Sequence, residues 1–541
     1  MSAYTGTGRL IRLALRRDRI QLPVWILGSA IVLAAGAAAV ADEFPTQQDR
    51  VEAISGVSGS PAVLLMRGVP VGASEGAFVN FRNLAFLLVL AGLMSTFAVV
   101  RHTRQNEETG RAELIGSGSV GRYAQLTAAL ALVVGADLVF GATMAGTLVA
   151  VGLPAAGALA FGAACAATGA AFAGIAAVAA QLFQSARAAN SLAAAAVGVA
   201  YLVRGVGDAL GEPAADGIRV ISAWPSWLSP FGWGALVRPF GGERWWVLAL
   251  PAALVALCVA AAFALVERRD LGAGLVPDRP GPARAGRALL RPLGLAWRLH
   301  RGATIGWVLG AAAMGVGVGT LSDAVTGSLG GNEGTTDLLN QLAGARAGAL
   351  VDAFFAAMMN VFGAFAAGYV VQAMLRPRAE EASGRAEPVL ATAVGRVRWA
   401  GAHLACAVGG AAALLVAAGA GMGIGDAAVG GDTGVGTLTA AGLAQLPAAL
   451  TVAGFVLLVF GGLPRLVVSL AWAALVVSLV CGLFGDLFGL PRAVRDLSPF
   501  SHVPAMPAVD PTAGPLLALV AVAAALAAAG LALFRRRDLT T

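Results

Sequence analysis

Along this chain, long stretches almost free of charge alternate with short segments that hold nearly all of it. A helix needs about 20 apolar residues to cross the hydrocarbon core of a bilayer. Twelve stretches meet that length: 22–41, 82–100, 124–151, 157–182, 188–206, 245–266, 303–322, 350–374, 399–423, 438–461, 466–485 and 513–534. The pattern predicts an all-α membrane protein with about twelve transmembrane helices. The stretch at 188–206 is the weakest, opening on Asn190 and Ser191 and closing near Arg204. Residues 1–41 have the basic start and the small-residue end, Ala39-Val40-Ala41, of a cleaved leader. The apolar run is longer than a leader's core, so it is read as an uncleaved first span.

Composition agrees with this map. The 541 residues are 58% hydrophobic and 12% charged, with mean hydropathy +0.78. A soluble chain would carry about 25% charged residues. All 37 basic residues are arginine, and the formal charge is +7. With the N-terminus inside, 27 arginines fall in cytoplasmic segments and 10 in outer ones. The positive-inside rule therefore places both termini in the cytoplasm, with Arg535-Arg536-Arg537 at the C-terminal end.

The chain also repeats itself. Residues 104–122 (RQNEETGRAELIGSGSVGR) align without gaps on 378–396 (RAEEASGRAEPVLATAVGR), with nine identities in nineteen positions. Leu13-Ala14, Arg16, Arg19 and Trp25 match Leu295-Ala296, Arg298, Arg301 and Trp307. Leu228-Ser229-Pro230-Phe231 matches Leu497-Ser498-Pro499-Phe500, and Arg268-Arg269-Asp270-Leu271 matches Arg536-Arg537-Asp538-Leu539. Four blocks in the same order predict two homologous six-helix halves, 1–266 and 303–541, joined by a basic linker and second elbow at 267–302. An even number of spans per half gives a parallel repeat, an arrangement found in transporters.

Two cytoplasmic features recur. Arg9, Arg12, Arg16 and Arg19 are spaced to share one helical face, with Leu10, Leu13 and Ala14 on another. Such an elbow helix would lie along the inner leaflet, its arginines toward anionic headgroups. The loop after the second span of each half carries Glu-x-x-x-Arg, as Glu107/Arg111 and Glu381/Arg385. That spacing favours a short helix, by only a few tenths of a kcal/mol. A charged helix repeated once per half suits docking to a cytoplasmic partner twice.

On these motifs the chain resembles permeases of the ABC-2 type. It is similar above all to the fused, double-length actinobacterial permeases described as exporters of polyketide antibiotics or as multidrug ABC permeases. The resemblance rests on Glu107-Glu108-x-Gly110-Arg111-Ala112-Glu113, Val120-Gly121-Arg122, the Leu-Ser-Pro-Phe blocks, Arg244-Trp245-Trp246 and the Arg-Arg-Asp-Leu ends, and it covers nearly the whole chain. It implies a type V exporter-like fold and short re-entrant helices outside, before the sixth span, where the Leu-Ser-Pro-Phe blocks fall. It implies coupling helices that dock on two copies of a separate ABC ATP-binding subunit, where ATP and Mg would act. Carried over, coupling loop 1 is Glu107, Glu108, Gly110, Arg111, Glu113, Gly121 and Arg122; coupling loop 2 is Glu380, Glu381, Gly384, Arg385, Glu387, Gly395 and Arg396. In the second copy Pro388 replaces Leu114 and Ala382 replaces Glu108, which predicts a shorter or kinked helix. The function implied is export of hydrophobic or amphiphilic compounds across the cell membrane, as in multidrug efflux and antibiotic resistance, with lipid export as a variant within the family.

The absence of lysine bears on the motor. A Walker A loop needs a lysine to reach the β- and γ-phosphates, so this chain is expected to be a transport subunit, not an enzyme, with no cofactor of its own. Ser328-Leu329-Gly330-Gly331-Asn332 resembles an ABC signature only by chance. Within the spans, Asp137 and Asp352 are the acids; an acid there needs a partner, a wet cavity or a proton. Asp352 reads as interfacial. Asp137, Phe354, Phe355, Met358, Met359 and Phe362 are candidates for a substrate path. Cys165, Cys258, Cys406 and Cys481 read as buried apolar residues, and the four histidines have no metal-ligand spacing. No basic groove suggests nucleic acid. A proton-coupled carrier is the competing reading; two acids and no clearly buried arginine make a poor relay for it. The orientation is checked by reporter fusions: a periplasm-dependent phosphatase fused after Gly110 or Gly384 is expected to be inactive, and one fused after Gly152 active.

Overall fold

Backbone polar groups have no water to bond within a bilayer, so each apolar run must satisfy its own N–H and C=O groups as a helix. A computed structural model describes residues 2–58, 60–276, 281, 283–322, 346–483 and 491–538, and these are almost entirely helical. Eleven helices among the described residues are long and apolar enough to span a membrane, and a shorter apolar helix accompanies them. The chain divides into two units, Met1–Pro280 and Gly281–Thr541. The Ser328–Asn332 segment lies outside the described residues.

In the first unit, α1 (Thr7–Arg17) precedes α2 (Gln21–Glu43). Two short helices, α3 (Gln47–Ser58) and α4 (Pro61–Arg67), lead to α5 (Glu75–His102). The following loop holds α6 (Arg104–Glu108) and α7 (Arg111–Gly116). Then come α8 (Ala124–Ala150), α9 (Ala155–Leu182) and α10 (Ala186–Ala209), so the weakest predicted span is a full helix. A two-stranded antiparallel ribbon (Glu212–Pro213 with Val220–Ile221), a 3-10 turn (Trp224–Leu228) and α11 (Pro230–Leu236) precede α12 (Ala249–Glu267). The central helix is α9, against which α5, α8, α10 and α12 all pack.

The second unit opens on α13 (Pro292–Gly319), a single helix in which the second elbow runs on into the span. Pro292 at its first position costs nothing, because that N–H has no helical acceptor. Next are α14 (Arg346–Met374), α15 (Arg376–Ala382), α16 (Ala386–Leu390) and α17 (Arg396–Ala428). The span expected at 438–461 runs through Val435–Gly462, with a local break at Gln445 between α18 (Val435–Ala444) and α19 (Leu446–Gly462). Pro447 lacks the N–H that would continue the ladder, and buried Gln445 at the break donates to Asn360 Oδ1 at 3.0 Å. The eleventh expected span, 466–485, is α20 (Val467–Leu483), shorter than the rest. The short α21 (Arg492–Arg495) and a 3-10 turn (Pro499–His502) lead to α22 (Ala513–Arg536).

Small residues set the closest helix contacts, as expected where lipid supplies no hydrophobic drive between helices. A Cβ on Gly141 of α8 would lie 2.3 Å from the Gly162 carbonyl of α9, and one on Gly162 would lie 2.2 Å from the Gly141 carbonyl. The same reciprocity joins α13 to α17, through Gly315 and Gly319 on one side and Gly421 and Gly425 on the other. Gly461 and Gly530 play this part between α19 and α22. Gly162→Leu is therefore expected to lower the melting temperature of the purified chain in detergent. Gly146→Leu should leave it unchanged, because a Cβ on Gly146 of the same α8 helix meets nothing within 4 Å.

Candidate functional site

The two repeated loops form the same structure. In the first unit α6 stops at Gly110, whose φ of 71° reverses the chain so that α7 can begin. Gly384, also with φ 71°, does this between α15 and α16. Both glycine N–H groups bond back to the glutamate three residues earlier, Glu107 and Glu381, at 3.0 Å. Left-handed backbone of this kind is strained for any residue with a Cβ.

These glutamates do not pair with the arginines four residues on, contrary to the expectation from spacing. The turn at Gly110 and Gly384 lies between the two members and carries them apart. Glu107 instead makes a two-pronged ion pair with Arg269, at 2.6 and 2.7 Å, with both side chains almost fully buried. Arg104 adds a third contact at 2.9 Å, and the Gly272 N–H a fourth at 3.1 Å. Glu381 makes the matching pair with Arg537, at 2.7 and 2.8 Å. Arg269 and Arg537 are the second arginines of the duplicated Arg-Arg-Asp-Leu ends. So two of the repeated blocks meet in space in each unit.

A third repeated position joins them. Arg122 donates to the Val266 and Glu267 carbonyls at 2.9 Å each, satisfying orphan acceptors at the C-terminus of α12. Arg396 donates in the same way to the Arg535 and Arg537 carbonyls at the end of α22. Arg104, fully buried, also donates to the Ala180 carbonyl near the end of α9, at 2.6 and 2.9 Å. Arg269 reaches Gln181 there at 2.8 Å. The loop, the end of the fourth span and the end of the sixth are thus tied through one buried charge cluster. It borders a cavity of about 420 Å³.

The remaining loop residues divide by direction. Glu108 accepts the Ala186 N–H at 2.9 Å, capping α10, a contact that Ala382 cannot repeat. In the second loop Arg385 pairs with Glu380 at 2.9 Å, and Arg376 with the same Glu380 at 3.0 Å. Arg111, Glu113 and Leu114 face outward, Leu114 being 78% exposed; Arg385, Glu387 and Pro388 are exposed at the matching places. Pro388 sits in the first turn of the five-residue α16, where a helix tolerates it. Gly121 is needed for close approach, since its Cβ would lie 2.2 Å from the Ala3 carbonyl, whereas Gly395 has open space and precedes α17.

Arg9, Arg12 and Arg16 are exposed on α1 as expected, but the helix ends at Arg17, so Arg19 lies in the turn beyond it. The stop is anchored by Asp18, which is buried against Arg101 at 2.9 Å and His102 at 2.6 Å. Burial works to raise the Asp18 pKa, but the His102 hydrogen bond and charge and then Arg101 outweigh it and hold it below the usual carboxylate range.

Inside the bundle, Asp137 is buried and accepts from Ser95 Oγ at 2.6 Å, with its other oxygen unpartnered. It presses on Gly169, where a Cβ would lie 2.3 Å away. Phe355, Met359 and Phe362 are packed into the core of the second unit, with Phe354 and Met358 against them. Buried arginines were not expected, yet Arg104 and Arg204 are both buried. Arg204 pairs with buried Asp208 at 3.0 Å, and Asp208 also accepts from Ser222 and Ser226 at 2.6 and 2.9 Å. Their i,i+4 spacing at the end of an apolar run was the available signal. The Leu-Ser-Pro-Phe serines also match: Ser229 Oγ donates to the Ala200 carbonyl at 2.6 Å, and Ser498 Oγ to the Ser478 carbonyl at 2.7 Å. Each also accepts the N–H of the nearby phenylalanine two positions on at 3.2 Å, starting a short helix or turn.

A multi-pass helical bundle, doubled in sequence and carrying the same clamped loop twice, defines a membrane permease. The chain belongs to the multidrug efflux permeases of the ABC type. Over 540 residues it is 41% identical to the multidrug efflux system permease protein Rv1217c of Mycobacterium tuberculosis (strain ATCC 25618 / H37Rv), covering 99% of this chain and 96% of that one. Residues 289–535 match the family described as the C-terminal domain of that permease.

Truncating one member of a buried ion pair typically costs roughly 3–5 kcal/mol, against a few tenths for an exposed helical pair. Glu107→Gln or Arg269→Gln should therefore lower the melting temperature of the purified chain clearly, and Glu113→Gln should not. The reversed pair, Glu107→Arg with Arg269→Glu, should recover part of the loss.

Proposed function

We propose that this chain is the permease subunit of an ATP-driven exporter that moves hydrophobic or amphiphilic compounds out of the cell. Hydrolysis then occurs on a separate ATP-binding subunit, one copy against each repeated loop. The observation that carries this reading is the split character of the loop. Its inner side is locked to the ends of the fourth and sixth spans by the Glu107–Arg269 pair, or to the sixth by Glu381–Arg537, while its outer side offers exposed residues with no internal role. A subunit pressing on Glu113 and Leu114, or on Glu387 and Pro388, would move the ends of spans directly, because a buried two-pronged pair transmits displacement without slack. The lack of lysine fits a motor located on another chain. Membership of the multidrug efflux permeases supports drug-like compounds as cargo. In this reading both termini and both loops are cytoplasmic.

Two buried acids, Asp137 with its second oxygen unpartnered and Asp208 beside Arg204, favour a proton-coupled carrier. Asp137 is held by Ser95, and Asp208 is tied up by Arg204, Ser222 and Ser226, so neither is placed to pass a proton on, which leaves the ATP-driven reading stronger.

The test is co-expression and co-purification with a candidate ABC ATPase subunit. Glu113→Arg with Leu114→Asp should weaken recovery of the ATPase by roughly tenfold or more, the effect of losing an interface anchor worth about 1.4 kcal/mol. Both residues are exposed, so the permease itself should keep its melting temperature. Full recovery of the ATPase and undiminished ATP-dependent efflux in this variant would remove the loop from the docking surface.

A further inference from the structure

The first unit holds a cluster of positive charge beside an apolar cavity. Between α1, α7 and α8 lies a cavity of about 490 Å³. Arg16 and Arg17 reach its edge from α1, and Arg111 reaches it from α7. Its walls are apolar, formed by Leu10, Leu13, Ala128 and Ala129 among others. The nearest acid, Asp18, is already committed to Arg101 and His102. Arg17 donates to the neutral Asn106 at 2.7 Å, and none of the three arginines has an acidic partner among the described residues. Burial, and then the charges of Arg111 and Arg101, lower the Arg17 pKa by more than Asp18 raises it, as expected where positive charges outnumber the nearby anion.

The duplication supplies an internal comparison. Glu380 stands where Asn106 does, and Arg385 where Arg111 does. In the second unit that glutamate neutralises Arg385 and Arg376 directly. Arg376 stands where His102 does, so of the two cations that Glu380 pairs, the first copy keeps only Arg111, and it lacks the anion.

We propose that the cavity between α1, α7 and α8 binds an acidic phospholipid, whose headgroup phosphate is held by Arg16, Arg17 and Arg111 and whose chain lies over Leu10, Leu13 and Ala128. The match is of charge and of shape: guanidinium groups are strong phosphate donors, and an apolar wall below a cationic rim suits an amphiphile rather than a soluble anion. The basic, amphipathic α1 brings the rim to the height of the headgroups. Arg111 opens the helix that presents Glu113 and Leu114, so a lipid bridging α1 and α7 would make the posture of that outward face depend on the acidic lipid content of the membrane. The lipid needs no ATPase subunit to bind, so the site stands or falls separately from the docking assignment.

The experiment uses the purified full-length chain in detergent, titrated with phosphatidylglycerol or phosphatidylcholine and read by native mass spectrometry and by thermal shift. Phosphatidylglycerol is expected to bind and to raise the melting temperature, and phosphatidylcholine to do neither. Asn106→Glu copies the second unit's solution and should weaken phosphatidylglycerol binding at least tenfold without lowering the melting temperature of the lipid-free chain. Arg17→Gln with Arg111→Gln should do the same, and Arg17→Lys with Arg111→Lys should restore most of the affinity. Equal binding of the two lipids, or full affinity in Asn106→Glu, would overturn the proposal. Displacement of the lipid by millimolar inorganic phosphate alone would overturn it too, by showing that the apolar wall contributes nothing.

Discussion

A carboxylate whose side chain is buried at the ends of packed helices must be paired, and Glu107 and Glu381 carry that constraint through the whole of their units. Each meets an arginine from the far end of its own half, more than 150 positions away in the chain. The pair is two-pronged and nearly dry, so its geometry is fixed in distance and in angle. Once it forms, the loop after the second span cannot move without the end of the sixth. Arg122 and Arg396 reinforce the tie by closing the carbonyls that the sixth span leaves open. The nine identities between the loops are best understood from this arrangement: Glu107, Gly110 and Arg122 are held in place by what they touch inside the fold.

Each repeated loop has an inner side tied into the permease and an outer side that is exposed. Charge is distributed accordingly. Inner charges are paired, and outer ones, Glu113 and Arg111 in the first unit, are exposed. The two copies then diverge in how they balance the arginines. The second uses Glu380, and the first leaves the balance to something outside the chain. Among the aligned differences, asparagine in place of glutamate removes the acid that balances the arginines in the second copy.

The interiors have diverged further than the loops. In the first unit Asp137 on α8 bonds Ser95 on α5. At the alignment offset of the loops, Tyr369 stands in place of Ser95, and its hydroxyl lies 2.9 Å from Thr304 Oγ1. His300 aligns with Asp18, and instead of an ion pair it makes a 2.9 Å contact with His403. Glycine seams recur in both units, though between different residues. Packing of small residues tolerates such drift as long as backbones can still approach; a buried two-pronged ion pair does not.

The apolar runs alone determined that this is a membrane protein and roughly where its helices lie, because hydrocarbon imposes length and excludes charge whatever the tertiary arrangement; the four repeated blocks revealed the duplication. The break at Pro447 left a signal in the sequence too, since proline removes a donor wherever it stands. Pairing was not legible. Spacing offered Glu107 with Arg111, an interaction of a few tenths of a kcal/mol, and could not show that Arg269 would come within 2.6 Å and win. Nor could it show that Arg104 and Arg204 would be buried, or that Phe355, Met359 and Phe362 would fill a core. Those outcomes depend on which helix ends meet, and side-chain chemistry distant in the chain decides them only once the bundle has closed.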